Sequence, residues 1–218
     1  MWEKKEKAGK IWYELSLDSD AIILQGTKSF DPLEEIQGER CGLKQIHSSV
    51  IHKARCGIKL VGDGIFTDDV NIIIYVKTAD CLPIILYHPG RRVLAILHAG
   101  WRGTLLKITK KFFLRMKNDL KMEVSDWIVA FGPCIGRKDY EVGPEIYDLF
   151  KFEELTGVHV NKSRYFLDLK EANINEMRKT GVSAFYDFPE ETYSSDNLYS
   201  YRKGDKERNI TAGKIIKP

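Results

Sequence analysis

Two side chains that commonly bind metal ions flank a pair of short apolar runs near the middle of the sequence. Cys81 directly precedes the run LPIILY, and His98 lies near the end of the run VLAILHA. Thiolate sulfur and imidazole nitrogen are both common zinc ligands in proteins. These residue types therefore indicate a metal site, provided that the chain brings the two runs together.

The loop between the two runs predicts how they are arranged. His88-Pro89-Gly90-Arg91 is rich in residues that favour tight turns, so the runs at 82–87 and 93–99 are expected to form an antiparallel hairpin. Such pairing would place Cys81 and His98 at the same edge of a sheet.

The residues after His98 predict anion binding at that same edge. The sequence GWRGT at 100–104 leads into apolar residues at helical spacing from Leu105 to Leu120, which predicts a helix. A helix N-terminus presents free N–H groups that favour anions. Arg102 and the amide groups of Gly103 and Thr104 are therefore the candidate phosphate-binding groups.

Two ligands make a poor metal site, so a third must come from elsewhere in the chain. His47 and His52 share one upstream segment, whereas His88 lies in the hairpin turn and His159 in a charged loop. The spacing of apolar residues around His47 and His52 does not decide between helix and strand. Either of these two histidines is the expected source.

Each candidate also has an ordinary structural explanation. Cys81 is equally explained as a small buried apolar residue, and His98 as a hydrogen-bonded core histidine. Arg102 has the alternative of pairing with a carboxylate. Asp63 and Asp80 either cap turns or orient a ligand imidazole.

The composition predicts an ordinary globular protein. The 218 residues are 43% hydrophobic and 30% charged, and 34 basic against 31 acidic residues give a net charge of +3. The charge is too balanced to indicate a nucleic-acid partner. We expect one domain over residues 1–218, because single α/β or β-rich domains of this length are common.

The first residues lack the apolar stretch of a signal peptide, and no run reaches the length of about 18 apolar residues that a membrane span needs. We therefore expect a cytoplasmic protein without a membrane partner. The four cysteines, Cys41, Cys56, Cys81 and Cys134, are unclustered, which favours free thiols or a metal ligand over disulfides.

Further elements follow from the apolar patterns. Residues 71–76 and 126–131 are expected to be buried strands, and a helix is expected to begin at Pro144. Asp168 and Glu171 predict the capped start of another helix, which runs through Lys179.

Six short motifs resemble those of the laccase-domain (YfiH-like) family, and they occur in the family's order. The motifs are Gln45-x-His47, Thr78-Ala79-Asp80-Cys81-Leu82-Pro83, His98-Ala99-Gly100-Trp101-Arg102-Gly103, Gly132-Pro133-x-Ile135-Gly136, Tyr140-Glu141-Val142 and Ser200-Tyr201-Arg202. The resemblance implies the fold of that family, a single domain of the α/β (α+β) class with mixed β-sheets flanked by helices, and a zinc site made by His47, Cys81 and His98. It also implies purine nucleoside phosphorylase activity on adenosine, inosine and methylthioadenosine, with adenosine deaminase activity besides.

On this interpretation the partners are a purine nucleoside and phosphate. The catalytic candidates are Cys81, Arg102 and Asp80, and the candidates for binding phosphate or substrate are Arg102, Gly103, Thr104, Gln45 and Arg202. The sequence carries no signal for an oligomeric state.

Two imidazoles and one thiolate leave the fourth position of a tetrahedral zinc ion open, as in catalytic zinc sites. A zinc ion of this kind activates water, which deamination requires. Copper is the alternative metal for the same site. The five histidines of the chain are too few for a true multicopper oxidase.

Near its end the chain departs from the family pattern, because Glu191-Thr192 and Glu207-Arg208 replace the usual Cys-Thr and Thr-Gly-Arg. This departure weakens the assignment of a family role to Arg208. Two alternatives therefore stand beside the phosphorylase. One is a metal-binding structural or quality-control protein, and the other is a metal-dependent hydrolase or laccase-like oxidase of another small molecule.

Overall fold

The computed structural model describes residues 1–216, which contain seventeen strands and five α-helices. The strands are β1 (Glu3–Lys7), β2 (Lys10–Leu17), β3 (Ala21–Gln25), β4 (Glu39–Cys41), β5 (Leu43–Lys44), β6 (Ile51–Lys53), β7 (Leu60–Val61), β8 (Gly64–Thr67), β9 (Ile72–Thr78), β10 (Leu82–His88), β11 (Val93–Ala99), β12 (Ile128–Phe131), β13 (Glu141–Val142), β14 (Val158–Asn161), β15 (Arg164–Leu167), β16 (Phe185–Tyr186) and β17 (Asn209–Ile215). The helices are α1 (Pro32–Glu35), α2 (Trp101–Leu105), α3 (Ile108–Leu120), α4 (Pro144–Phe152) and α5 (Leu169–Arg178).

The strands form two six-stranded sheets and two small ones. The first large sheet has the order β1-β2-β3-β17-β9-β4, and the second has the order β16-β12-β10-β11-β8-β6. The small sheets are β13-β15-β14 and β5-β7. Each large sheet mixes antiparallel pairs with parallel ones, such as β4 with β9 and β6 with β8. The predicted class of mixed sheets with helices is confirmed.

The second large sheet is buried on both faces. Ile85 and Ile96 share a core with Ile23 and Ile74 of the first sheet. On the opposite face, the neighbouring strand residues pack against α3, α4 and α5, in a core that includes Phe112. Coverage on both faces explains why β10 and β11 read as continuous apolar runs rather than alternating ones.

The predicted hairpin is confirmed, with β10 and β11 antiparallel. In its register Leu82 lies opposite Ala99 and Pro83 lies opposite His98. A 3₁₀ turn at Pro89–Arg91 joins the strands. Cys81, which directly precedes β10, therefore lies beside the end of β11.

The helix predicted from Leu105 to Leu120 is confirmed from Ile108 onward, whereas Leu105 belongs to a separate short helix. The chain forms the short helix α2 and then α3, which begins at Ile108. Lys107 adopts a left-handed conformation with φ 56°, which interrupts the helical hydrogen bonds between them. Apolar spacing continues across this break, so the pattern alone does not reveal it.

Other predicted elements are confirmed with small shifts. The strands expected at 71–76 and 126–131 are β9 and β12, and α4 begins at Pro144. Asp168 caps α5 by accepting a hydrogen bond from the Glu171 amide at 2.9 Å. No helix within residues 1–216 is long and apolar enough to cross a membrane.

Candidate functional site

The structure brings together His47, Cys81 and His98. One nitrogen of each imidazole and the thiol sulfur lie within 4.8 Å of one another. The two imidazole rings meet nearly edge to face, with their centroids 4.8 Å apart. Exposure falls from His47, which is exposed, through Cys81 to His98, which is 3% exposed. The cluster therefore has a buried base and an open side.

Each member of the cluster comes from a different element. His98 belongs to β11, Cys81 occupies the residue before β10, and His47 lies in the loop between β5 and β6. The backbone of His47 is left-handed with φ 58°, a conformation that non-glycine residues seldom adopt. Such strain persists only where the surroundings hold the residue firmly.

The Asp63 carboxylate supplies that hold. It is fully buried and accepts hydrogen bonds from the His47 amide at 3.0 Å and from the Ser48 amide at 2.6 Å. It also lies 2.8 Å from Nδ1 of His98. Of the two explanations that the sequence left open for Asp63, it therefore serves both, because it caps the loop and orients an imidazole.

Neighbouring groups shift the pKa values of Cys81, His98 and Asp63. Burial raises the pKa of the Cys81 thiol, but hydrogen bonds with His47 and His98 outweigh burial and lower it to about 7. Burial lowers the pKa of His98, but its bonds to Asp63 and Cys81 raise it to about 9. Burial raises the pKa of Asp63, yet hydrogen bonds from His98 and Ser48 lower it to about 2. The thiol thus ionises readily, as a metal ligand must.

The donor set fits a metal ion. Because Nδ1 of His98 bonds Asp63, its Nε2 remains as the ligand atom, and a carboxylate behind a ligating imidazole is typical of metal sites. Zinc–ligand bonds of about 2.0–2.3 Å can reach three donor atoms grouped this closely. Among residues 1–216 this is the only group of three or more His, Cys, Asp or Glu side chains arranged to hold a metal ion.

Gly100 leaves the room that the cluster needs. A Cβ atom at this position would lie 2.8 Å from the Cys81 sulfur and 3.1 Å from Cδ2 of His47. Real Cβ contacts are never so short with sulfur, so a side chain here would displace the ligands. The backbone of Gly100 has φ −76°, which any residue can adopt, so it is the space beside the ligands that requires a glycine here.

The turn after Gly100 differs from the prediction. The Thr104 amide donates to the Gly100 carbonyl at 2.9 Å, and the Thr104 hydroxyl accepts from the Asn173 side chain at 2.9 Å. The predicted role of the Thr104 amide in anion binding is wrong, because α2 begins at Trp101 and already uses that amide internally. The Gly103 amide precedes this first intrahelical bond and stays a candidate.

Arg102 has no carboxylate within 4.0 Å in the part of the chain that the structure describes. Its guanidinium lies over the Trp101 ring, 4.9 Å from the centroid, and the side chain is exposed. Planar stacking leaves the guanidinium N–H groups free to bind an anion. The alternative of a structural ion pair does not apply to Arg102 in residues 1–216.

Two further candidates are engaged with the backbone. The Gln45 side chain donates to the Lys77 carbonyl and accepts from the Lys77 amide, both at 2.8 Å. The Asp80 carboxylate accepts from the Thr192 hydroxyl at 2.6 Å and from the Arg202 amide at 2.7 Å. These contacts make Gln45 and Asp80 positioning residues for the segments next to His47 and Cys81.

Tyr140 is a site residue that the chemistry of the sequence did not single out. The Arg202 guanidinium lies 5.5 Å from the centre of its ring and donates to the Glu141 carbonyl at 2.9 Å. Burial, with the charges of Cys81 and Asp80 adding to it, raises the pKa of Tyr140. Only its place in a family motif could have indicated it.

The divergent C-terminal residues have structural roles. The Glu191 carboxylate occupies the space beside Gly136, where an added Cβ would meet it. The Arg208 side chain donates to the Lys206 carbonyl at 2.7 Å and to the Glu207 carbonyl at 2.8 Å. The guanidinium of Arg208 is thus bound within its own loop.

A protein family and a named relative both match most of this chain. Residues 17–217 match the family described as multi-copper polyphenol oxidoreductase laccase. A protein of Clostridium acetobutylicum named purine nucleoside phosphorylase is 31% identical over 178 residues, which cover 80% of this chain and 75% of the relative.

Two solved structures share the fold. YlmD from Geobacillus stearothermophilus has a TM-score of 0.87 and 21% identity, over 98% of this chain and 99% of its own. The hypothetical protein YfiH of Bacillus licheniformis has a TM-score of 0.86 and 19% identity, over 97% and 98% of the two chains.

Proposed function

The chain belongs to the family described as multi-copper polyphenol oxidoreductase laccase, and from this premise we propose that it is a metal-dependent purine nucleoside phosphorylase. Its substrates would be a purine nucleoside, such as adenosine, inosine or methylthioadenosine, and inorganic phosphate. Its products would be the free base and ribose 1-phosphate.

The observation that carries this proposal is the convergence of His47, Cys81 and His98 at an edge of the sheet. The donor atoms lie within 4.8 Å of one another, on a base fixed by Asp63, and the open side faces solvent at His47. An open site suits catalysis better than structure, because structural zinc sites usually have four protein ligands. Relatives with the name purine nucleoside phosphorylase support the choice of reaction.

Phosphorolysis breaks the bond from ribose C1′ to the purine nitrogen and forms a bond from C1′ to a phosphate oxygen. A metal ion in the site would supply Lewis-acid chemistry at a substrate atom. Arg102 would bind the phosphate, since its guanidinium is exposed and lies over Trp101. The departing base would take up a proton from solvent as it leaves.

Zinc is the metal that we propose, because two nitrogens and one thiolate are a common zinc donor set, with copper as the alternative. Adenosine deaminase activity would be a second activity of the same site. We also propose that the enzyme acts in the cytoplasm.

A product assay tests the proposal. The purified protein, loaded with zinc, is incubated with adenosine, inosine or methylthioadenosine, with and without phosphate, and the products are separated by chromatography. We expect phosphate-dependent formation of free base and ribose 1-phosphate, and inosine from adenosine. Absence of phosphate-dependent base release by zinc-loaded protein would refute the phosphorylase.

Two histidine variants provide a matched comparison. His47→Ala should lose base release by about a hundredfold or more, because an open site with two ligands holds the ion poorly. His52→Ala should retain activity, since His52 lies in the same segment but bonds the Val61 carbonyl at 2.9 Å and lies outside the cluster. Equal loss in both variants would point to damage of the segment rather than of the site.

A further inference from the structure

A second candidate binding site lies on the small sheet formed by β13, β15 and β14. The cavity there has a volume of about 400 Å³, which is within the range of small-molecule pockets. Its lining residues are Arg137, Lys138, His159, Val160, Asn161 and Phe166. None of them belongs to the cluster of His47, Cys81 and His98.

The side chains that line this cavity carry positive charge and no negative charge. Its lining contains two permanent cations, Arg137 and Lys138, and no carboxylate. No carboxylate of residues 1–216 lies within 4.0 Å of either cation. Two acids of the neighbouring elements are engaged elsewhere, because Glu141 of β13 pairs with Arg164 and Glu171 of α5 pairs with His159.

A second cavity of the same protein shows the contrast. It has a volume of about 550 Å³ and is lined by three carboxylates, Asp187, Glu190 and Glu191, with Lys170 as its one cation. An anion would be repelled there and attracted to the cavity of Arg137 and Lys138. Of these two cavities, the one lined by Arg137 and Lys138 is therefore the one that favours an anion.

The remaining lining groups suit a ligand with a planar ring. The half-buried Phe166 ring lines the cavity, and the Arg164 guanidinium lies 5.4 Å from the ring centre. The Asn161 side-chain amide makes no hydrogen bond within the described residues, and Nδ1 of His159 stays available because Nε2 bonds Glu171. An aromatic surface beside unused polar groups is how proteins commonly bind nucleobases.

We propose that this cavity binds a small aromatic anion of the nucleoside monophosphate class. The phosphate group would contact Arg137 and Lys138, and the base would pack against Phe166 beside Asn161. The cavity and the metal cluster share no residue, so the proposal does not depend on the phosphorylase activity.

Isothermal titration with AMP tests the proposal, with adenosine and inorganic phosphate as partial ligands. The variant R137A/K138A should weaken AMP binding by at least about tenfold, because two charged contacts are lost. K7A/K110A is the matched control, since it removes two exposed lysines elsewhere and the same charge. Phe166→Leu should weaken AMP binding by about tenfold but leave phosphate binding unchanged.

Cys81→Ala separates this cavity from the metal cluster. AMP affinity that is unchanged in Cys81→Ala and reduced in R137A/K138A would support the proposal, with thermal unfolding used to verify that each variant is folded. No AMP binding to the wild type, equal AMP binding in R137A/K138A and wild type, or loss of AMP binding in Cys81→Ala would each overturn it. Adenosine or phosphate binding that is as tight as that of AMP and is lost in R137A/K138A would overturn the assigned ligand class.

Discussion

The GWRGT turn at 100–104 closely follows His98 of the metal-ligand cluster, yet the turn and the cluster differ in which of their polar groups are used in hydrogen bonds within the protein. In the cluster, structural hydrogen bonds use the atoms that face away, such as Nδ1 of His98, and leave one donor atom of each residue available. In the turn, the Thr104 amide and hydroxyl are both used internally. Arg102 is the charged side chain of the turn, and it has no carboxylate partner within residues 1–216.

This difference separates the groups that fold the site from those that are available for chemistry. Asp63, Thr104 and Gln45 are polar residues at the site whose hydrogen bonds are made within the protein. His47, Cys81 and Arg102 keep an unused polar group. Substitutions in the first set should reduce stability, and those in the second should reduce metal or phosphate binding.

Asp63→Ala should have the largest effect. It removes the acceptor of five hydrogen bonds, from the Ile46, His47 and Ser48 amides, the Ser48 hydroxyl and His98 Nδ1, and leaves buried donors unpaired. We expect a loss of about 3 kcal/mol or more in the free energy of unfolding, together with weaker metal binding. Chemical denaturation and metal titration measure both.

Asp68→Ala is its control, because Asp68 is an exposed acid that pairs with Lys53 at 2.7 Å. Its stability should change by less than about 0.5 kcal/mol. If Asp63→Ala were no less stable than Asp68→Ala, the carboxylate would not organise the cluster.

Gly100→Ala should affect the cluster more than the fold. The new methyl group would meet the Cys81 sulfur at 2.8 Å, so we expect metal affinity to fall by about tenfold. Gly90→Ala serves as the control, because its Cβ would lie 3.5 Å from the nearest atom, an ordinary contact. Equal metal affinity in both variants would show that the cluster tolerates a methyl group at residue 100.

Arg102→Ala tests the one polar side chain of the turn that we expect to be available. The KM for phosphate should rise by about tenfold because a charged hydrogen bond is lost, while the bound metal stays constant. Steady-state kinetics at varied phosphate, with metal analysis of the same samples, give both values. A KM for phosphate like that of the wild type would remove Arg102 from the anion site.

Thr104→Val should have the smallest effect. It keeps the side-chain shape but removes the acceptor for the Asn173 amide, so the free energy of unfolding should fall by about 1 kcal/mol. The KM for phosphate should not change, in contrast to Arg102→Ala. A tenfold increase would place the Thr104 hydroxyl in the anion site and break the distinction between the two regions.

The parts of this structure that follow from local sequence were predictable. Two apolar runs and the Pro89-Gly90 turn predicted the hairpin, with Cys81 at the same edge of the sheet as His98, and the observed pairing agrees. Pro144 and Asp168 marked helix starts because their effects act within one turn of helix.

Features that depend on distant contacts could not be predicted. Asp63 and His98 are 35 residues apart in the sequence, although they are hydrogen-bonded in the structure. The residues Gly62-Asp63-Gly64 are explained equally well by a simple turn. The choice of His47 over His52 came from the family resemblance, since no local pattern distinguishes them. The left-handed Lys107 has no sequence signal, so the helix break, and with it the use of the Thr104 amide, was missed.

The central claim is that His47, Cys81 and His98 together hold one metal ion. Elemental analysis of freshly purified wild type and Cys81→Ala, each dialysed in parallel against zinc and then against metal-free buffer, tests it directly. We predict about one zinc ion per chain in the wild type and a loss of most of it in Cys81→Ala, with similar unfolding curves. Equal zinc content in the two folded proteins would contradict the claim.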